Sequence, residues 1–177
     1  MSGHTDTSVT IDADIDLVWD VTNHIEGWPD LFTEYADARI LHRHGDTVRF
    51  RLTTRPDADG HAWTWVSERT ADRRRWQVHG RRVETGWFRY MNLHWTYVPL
   101  GGRTRLRWVQ DFAMKPDAPL DDAAMTARIT ANSRVQMDVI ARRLAAAART
   151  AHAGPGPVTA GQDPHAGPRP ATDTEEL

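Results

Sequence analysis

One face of a predicted strand carries tryptophan, serine and arginine together, and this mixture is the first indication of chemistry in the chain. In the segment His61 to Thr70, period-two alternation puts Trp65, Ser67 and Arg69 on a single face. If that face points inward, the protonated guanidinium can hold a carbonyl oxygen and stabilise the enolate that forms when a neighbouring carbon loses a proton. If it points outward, Arg69 only stacks on an exposed indole. Alternation alone leaves both interpretations open.

Tyr35 is the candidate for acid–base chemistry, since a phenol can donate or accept a proton when a nearby cation lowers its pKa. Other types of reaction lack the residues they need. His42 and His44 are the only closely spaced histidines, and they lie at a turn signal with no carboxylate to complete a metal site. Ser67 lies within a strand rather than at the strained turn of an activated serine, and no dinucleotide fingerprint occurs. We therefore predict neither a metal nor a cofactor.

The composition limits the class of protein. The chain has 177 residues, no cysteine, and 22 basic against 24 acidic side chains. These counts exclude a disulfide scaffold and a cysteine nucleophile, and they give no field that would draw the chain to nucleic acid or to a membrane. No apolar run is long enough to cross a bilayer and the N-terminus lacks a signal-peptide pattern, so a soluble cytoplasmic protein is expected. The eight tryptophans are unusual, because so much indole must be buried in a core or around a cavity.

Periodicity and turn signals predict the elements that would position these groups. Extended segments separated by short turns between Tyr35 and Met114 predict about six antiparallel strands. A short strand, Ser8 to Asp12, precedes them. It is followed by a helical stretch from Ile15 to Phe32, which is expected to break near Gly27 and Pro29.

A long amphipathic helix from Ala123 to Arg149 ends the predicted fold, because apolar residues recur there at three- and four-residue steps without glycine or proline. The result is a two-layer α+β domain over residues 1–150, in which the helix covers a curved antiparallel sheet and the two enclose a cavity. Residues 151–177 are rich in proline and glycine, contain no aromatic residue, and are predicted to form a disordered tail.

Alternation in the later strands brings more aromatic residues to the same side of the sheet. Trp95 and Trp108 fall on the apolar rows of their strands and are expected to share the space with the indole and guanidinium described above. Phe88 has the wrong parity to join them without a β-bulge. Trp28 is expected to close the cavity at its helical entrance, whereas Trp87, near a strand end, is expected to be ordinary packing.

Long stretches of the chain resemble a known family. The similarity covers about residues 7–149 and is carried by the stretches Leu17–Asn23, Ile25–Phe32, Trp65–Ser67, Arg82–Gly86, Tyr90–Tyr97 and Arg107–Gln110. These stretches resemble the single-domain aromatase/cyclases of bacterial type II polyketide synthases, in particular the tetracenomycin-like branch. The resemblance implies a helix-grip fold of the Bet v 1/START type, in which a curved antiparallel sheet wraps the long C-terminal helix around an interior pocket.

The resemblance also implies an activity. Such a protein takes a poly-β-ketone carried on an acyl carrier protein and folds the chain in its pocket. It closes the first ring by intramolecular aldol addition, between the ninth and fourteenth carbons in the tetracenomycin-like branch, and promotes dehydration to an aromatic ring. Its expected partners are the acyl carrier protein and the ketosynthase/chain-length factor, and it uses no cofactor.

Roles for individual residues follow from the same resemblance. Arg69 would anchor a ketone and stabilise the enolate, and Tyr35 would be its acid–base partner. Gln136 stands where the family pattern has Asn, so its amide reaches one methylene further. The implied substrate-binding residues are Trp28, Phe32, Trp65, Ser67, Arg82, Phe88, Met91, Trp95, Trp108 and Gln136.

Two other functions fit the same fold. A non-catalytic helix-grip protein could bind a flat hydrophobic ligand, since fold does not decide function. A structural partner of a synthase complex would use its outer surface instead of its cavity. The charge of the cavity distinguishes the first of these from a cyclase, because a pure carrier of apolar ligands has no need of Arg69 and Arg82 beside indoles.

Overall fold

A computed structural model describes residues 2–153, which form seven strands, three α-helices and one 3₁₀ turn. The strands are β1 (Gly3–Ile11), β2 (Tyr35–His44), β3 (Thr47–Thr54), β4 (Thr64–Asp72), β5 (Gln77–Arg82), β6 (Phe88–Pro99) and β7 (Thr104–Met114). The helices are α1 (Ile15–Asn23), α2 (Trp28–Leu31) and α3 (Asp122–Ala153), with the 3₁₀ turn at Ile25–Gly27.

All seven strands form one antiparallel sheet in the order β1-β7-β6-β5-β4-β3-β2. The sheet curves around α3, and this confirms the predicted α+β helix-grip architecture. The six strands between Tyr35 and Met114 are also confirmed. The N-terminal strand is longer than predicted, because β1 pairs with β7 from Gly3 onward through polar residues that show no apolar alternation.

The helical stretch after β1 breaks at a different residue from the one predicted. The Asp14 carboxylate caps α1 by accepting a hydrogen bond from the Leu17 amide at 2.9 Å, and the helix ends before His24. Pro29 was expected to break the helix, but it lies in the first turn of α2. A proline is tolerated there because the first amides of a helix have no partner within the helix.

The long helix α3 places its apolar side on the sheet. Met137, Ile140 and Leu144 are fully buried in the main core, and the Asp121 carboxylate accepts a hydrogen bond from the Ala124 amide at the helix start. The helix continues to Ala153, beyond the predicted end at Arg149. Most of the predicted tail, residues 154–177, lies outside the described part of the chain.

Within residues 2–153, no helix is both long enough and apolar enough to span a membrane.

Candidate active site

A cavity of about 980 Å³ lies between α3 and the inner face of the sheet. The structure brings all of the sequence-predicted site residues to its wall except Gln136. They are Trp28, Phe32, Tyr35, Trp65, Ser67, Arg69, Arg82, Phe88, Met91, Trp95 and Trp108. Apolar side chains of α3, among them Met125 and Ile129, close the opposite side. The cavity is therefore large enough for a flat ligand of several rings.

Arg69 points inward from β4, which resolves the two orientations that alternation left open. Its side chain is 6% exposed, and its guanidinium carbon lies 4.5 Å from the centroid of Trp95 and 5.2 Å from that of Trp28. One terminal nitrogen, Nη2, donates a hydrogen bond to Asn23 Oδ1 at 3.0 Å. The Nε donor has no partner within residues 2–153. Burial lowers the pKa of Arg69 below its ordinary value.

Stacked aromatic rings form the inner wall around this guanidinium. The Trp95 ring stacks on Trp108 at 4.7 Å and on Trp28 at 5.9 Å, and Phe32 stacks on Trp108 at 5.9 Å. Trp28 was expected at the entrance, but it lies at the inner end because its ring stacks on Trp95 and its indole nitrogen donates to the Thr22 carbonyl oxygen. Planar conjugated ligands suit such walls, since aromatic faces attract each other in offset stacks.

Arg82 supplies a second cation to the cavity. Its guanidinium carbon lies 4.0 Å from the Trp65 centroid and 4.8 Å from the Phe88 centroid. Burial lowers the pKa of Arg82 to about 10, which leaves the group protonated at neutral pH. Ser67 is its cross-strand neighbour on β4 and adds a hydroxyl to the same wall. The cavity therefore carries two positive charges among aromatic rings.

A β-bulge brings Phe88 into the cavity. The register between β6 and β7 shifts between Phe88 and Tyr90, so Phe88 is buried while Met91 keeps the alternation of the rest of β6. This is the irregularity that the parity of Phe88 required. The ring of Phe88 packs edge-on against Phe112 at 5.6 Å.

The pKa of Tyr35 differs from the expected direction. A nearby cation was expected to lower it, but burial raises the pKa of the phenol well above 10, and Glu34 raises it further. Arg82 and Arg69 act in the opposite direction and are the smaller effects. Tyr35 is therefore a protonated phenol at neutral pH and can act first only as a proton donor.

Gln136 is not part of the cavity wall. Its Oε1 accepts a hydrogen bond from the Thr33 amide at 3.0 Å, and its Nε2 donates to Thr33 Oγ1 at 2.8 Å. Both ends of the amide are thus used to join α3 to the segment before β2. In place of the predicted substrate contact, Gln136 makes a structural one.

Several residues at the site were not identified from sequence. Asn23 and Tyr97 contact each other beside Arg69, and the inward row of β6 contained the signal for Tyr97. Trp63 and Trp87 line the cavity with about half of each residue exposed. The interpretation of Trp87 as ordinary packing was therefore wrong, since it follows a turn at Gly86 that holds it at the rim.

One exposed loop places potential metal ligands together within the described residues, namely Asp57, Asp59 and His61 between β3 and β4. Asp57 Oδ1 already accepts hydrogen bonds from the backbone amides of Asp59 and His61. These hydrogen bonds are those of an ordinary turn, and they explain why the three side chains lie close together. Nothing in the cavity chemistry depends on this loop.

The fold and the enclosed cavity define a helix-grip protein of the Bet v 1/START-like superfamily. The structure superposes on the Zhui aromatase/cyclase of Streptomyces sp. R1128 with a TM-score of 0.74 and 25% identity, covering 87% of this chain and 99% of that one. It also superposes on a START superfamily protein of Mycobacterium smegmatis with a TM-score of 0.62 and 17% identity, covering 84% of this chain and 98% of that one.

Sequence comparison identifies the family within this superfamily. Residues 11–138 match the family model described as polyketide cyclase/dehydrase and lipid transport. A Streptomyces cyaneus protein with the provisional name polyketide cyclase is 56% identical over 144 residues, which cover 81% of this chain and 95% of the relative. The chain belongs to the polyketide cyclase/dehydrase and lipid transport family.

Proposed function

We propose that this chain is a polyketide aromatase/cyclase that folds a poly-β-ketone in its cavity and closes the first ring by intramolecular aldol addition. The observation that carries the proposal is the position of Arg69, a buried cation at the inner end of an aromatic cavity. Membership of the cyclase family and the 56% identical relative support the cyclase role. The resemblance to the tetracenomycin-like branch supports closure between the ninth and fourteenth carbons.

Ring closure makes one carbon–carbon bond and needs an enolate. A methylene between two ketones loses a proton to solvent water, and the enolate oxygen accepts hydrogen bonds from Arg69. The enolate carbon then attacks a ketone carbon further along the chain, and the ketone oxygen becomes an alkoxide. The Tyr35 phenol, which is protonated, gives its proton to this oxygen.

The dehydration step would use the same two side chains, Arg69 and Tyr35. The Tyr35 phenolate left by the first step lies near Arg82 and Arg69, whose charges stabilise it. It takes a proton from the ring carbon beside the new hydroxyl, and the hydroxyl takes up the proton that the first step released to water and leaves as water. A double bond forms, enolisation of the remaining ketones completes the aromatic ring, and Tyr35 is restored.

The substrate is proposed to arrive as a thioester on an acyl carrier protein after its synthesis by a ketosynthase/chain-length factor. The residues of the cavity rim support this arrangement. Trp63 and Trp87 are half-exposed there, and Lys115 and Arg128 line the same opening. The polyketide would enter between them while the carrier remains outside.

Reconstitution of a minimal synthase with and without the full-length protein tests the proposal. We expect the protein to shift the products toward the aromatic compound closed between the ninth and fourteenth carbons. If the ratio of ring-closure products is unchanged by the protein, the cyclase proposal is wrong, and a non-catalytic binding role for a flat hydrophobic ligand would account for the cavity instead.

A further inference from the structure

A chain of neutral groups fixes the position of Arg69. Its Nη2 donates to Asn23 Oδ1 at 3.0 Å. The Asn23 amide nitrogen donates to the Trp19 carbonyl oxygen at 2.9 Å and to the Tyr97 hydroxyl at 3.4 Å. The Tyr97 hydroxyl in turn shares a 2.8 Å hydrogen bond with Thr22 Oγ1. The end of α1 and the inner row of β6 together determine where the guanidinium stands.

This network leaves the charge of Arg69 uncompensated. No carboxylate within residues 2–153 is paired with Arg69, although many arginines on the outer surface have such partners. Buried charges are ordinarily paired, since removing an ion from water is costly. Here the indole faces of Trp28 and Trp95, the amide oxygen of Asn23 and the neutral hydroxyl of Tyr97 surround it. An anionic oxygen entering the cavity would supply the missing partner.

Unused donors at the inner end indicate the same kind of ligand. Arg69 Nε and Trp108 Nε1 are buried and have no hydrogen-bond partner within the described residues. Both are donors only, so they can be satisfied only by an acceptor atom. The neighbouring rings of Trp95 and Trp108 are stacked at 4.7 Å and cannot provide one. An oxygen-bearing planar ligand meets both requirements.

We propose that Asn23 and Tyr97 are positioning residues that hold Arg69 without neutralising it, so that the cavity binds its ligand as an oxyanion, an enolate or a phenolate, in preference to the neutral form. The enolate part of this inference rests on the proposed cyclase function. Binding of a phenolate does not, because it can be measured without turnover.

The identity of residue 23 is central to the inference. Aspartate has the same size as asparagine, but its carboxylate would form an ion pair with the guanidinium and cancel its charge. An amide accepts the same hydrogen bond and leaves the charge available to a ligand. Asn23→Asp therefore adds a negative charge beside the guanidinium and also removes the hydrogen bond donated to the Trp19 carbonyl oxygen. Tyr97→Phe removes one hydrogen bond that orients the Asn23 amide and adds no charge.

The test uses a β-hydroxyanthraquinone, whose phenolate absorbs at longer wavelength than its phenol, and its O-methyl ether as the neutral probe. Absorbance titration of the protein-bound dye should give a phenol pKa at least about one unit below that of the free dye, which corresponds to about tenfold preference for the phenolate. Asn23→Asp should reduce this preference about tenfold or more and leave affinity for the ether unchanged. Tyr97→Phe should reduce it in the same direction by a smaller factor.

Asn92→Asp is the matched control, because it makes the same chemical change at an exposed position of β6. It should leave both probes unaffected, and circular dichroism should show that all variants keep the wild-type fold. A wild-type protein that does not lower the pKa of the bound phenol overturns the inference, as does an Asn23→Asp variant with wild-type preference. Loss of ether binding in both cavity variants would show that the network only supports the fold, and would also overturn it. None of these results bears on product distribution, which tests the cyclase proposal separately.

Discussion

Burial gives Arg69 a chemical character that most arginines of this chain lack. On the outer face of the sheet, Arg107 is paired with Asp6 and Arg81 with Glu68, and these charges are balanced in water. Arg69 faces inward instead, and its cross-strand neighbour on β5 is Gly80, which places no side chain beside the guanidinium. The same side chain is therefore a solvated ion on one face and a candidate catalytic group on the other.

The pKa of Tyr35 leads to a prediction about pH. Because burial raises that pKa well above 10, the phenol does not titrate between neutral pH and pH 10. Tyr35→Phe should lower the rate of product formation about 100-fold through loss of the proton donor. The shape of the rate profile between pH 7 and pH 10 should match that of the wild type. An alkaline decline in the wild type within this range that the variant lacks would contradict the role of Tyr35 as a protonated acid.

At the scale of the elements, regular alternation explains most of the cavity wall and irregular geometry explains the rest. Trp65, Trp95 and Trp108 could be placed together from parity, since each belongs to a regular strand. Phe88 could be placed only by assuming a bulge, because a register shift depends on pairing with β7 and leaves no local signature. Gln136 was assigned to the cavity through the family resemblance, and the structure instead places its amide on Thr33.

The two hydrogen bonds between Gln136 on α3 and Thr33 before β2 lead to a stability prediction. Gln136→Ala removes both hydrogen bonds to Thr33 and opens space at a position that is 3% exposed. The free energy of unfolding should fall by about 1–3 kcal/mol. Affinity for a planar ligand should stay at the wild-type level. Both are measured by denaturant titration and dye binding, and a loss of affinity with unchanged stability would restore Gln136 as a ligand contact.

The outer face of the sheet has its own pH dependence. Glu68 on β4 accepts hydrogen bonds from Arg49 on β3 and Arg81 on β5, and these bonds lower its pKa. A carboxylate with a lowered pKa stabilises the fold above its unfolded pKa, and the stabilisation is lost as pH falls through the folded value.

Glu68→Gln should therefore lower the free energy of unfolding at pH 7 by about 1 kcal/mol, as is typical of exposed ion pairs. The difference from wild type should shrink as pH falls below 4.5. Asp138→Asn, an exposed change on α3, is the control. Denaturant midpoints over this pH range measure the effect, and a difference that persists in acid would show that the cost comes from packing.

At the scale of the whole molecule, the sequence predicted the layers better than the contacts between distant segments. The long helix, the six consecutive strands and the inward face of β7 follow from local periodicity. Contacts between distant segments could not be predicted this way. Asn23 and Arg69 are 46 positions apart, and their hydrogen bond exists only because α1 packs near the inner row of the sheet. Local patterns hold no information about such pairs.

The buried guanidinium of Arg69 is proposed to control ring closure. The most direct test is the product distribution of a reconstituted minimal synthase supplied with wild-type protein, Arg69→Ala or Arg105→Ala. Arg105 is an exposed residue on the outward side of β7 and serves as the matched control. Arg69→Ala should keep the fold and give the product ratio of the synthase alone, whereas Arg105→Ala should give the wild-type ratio. A folded Arg69→Ala protein that still directs closure as the wild type does would contradict the account.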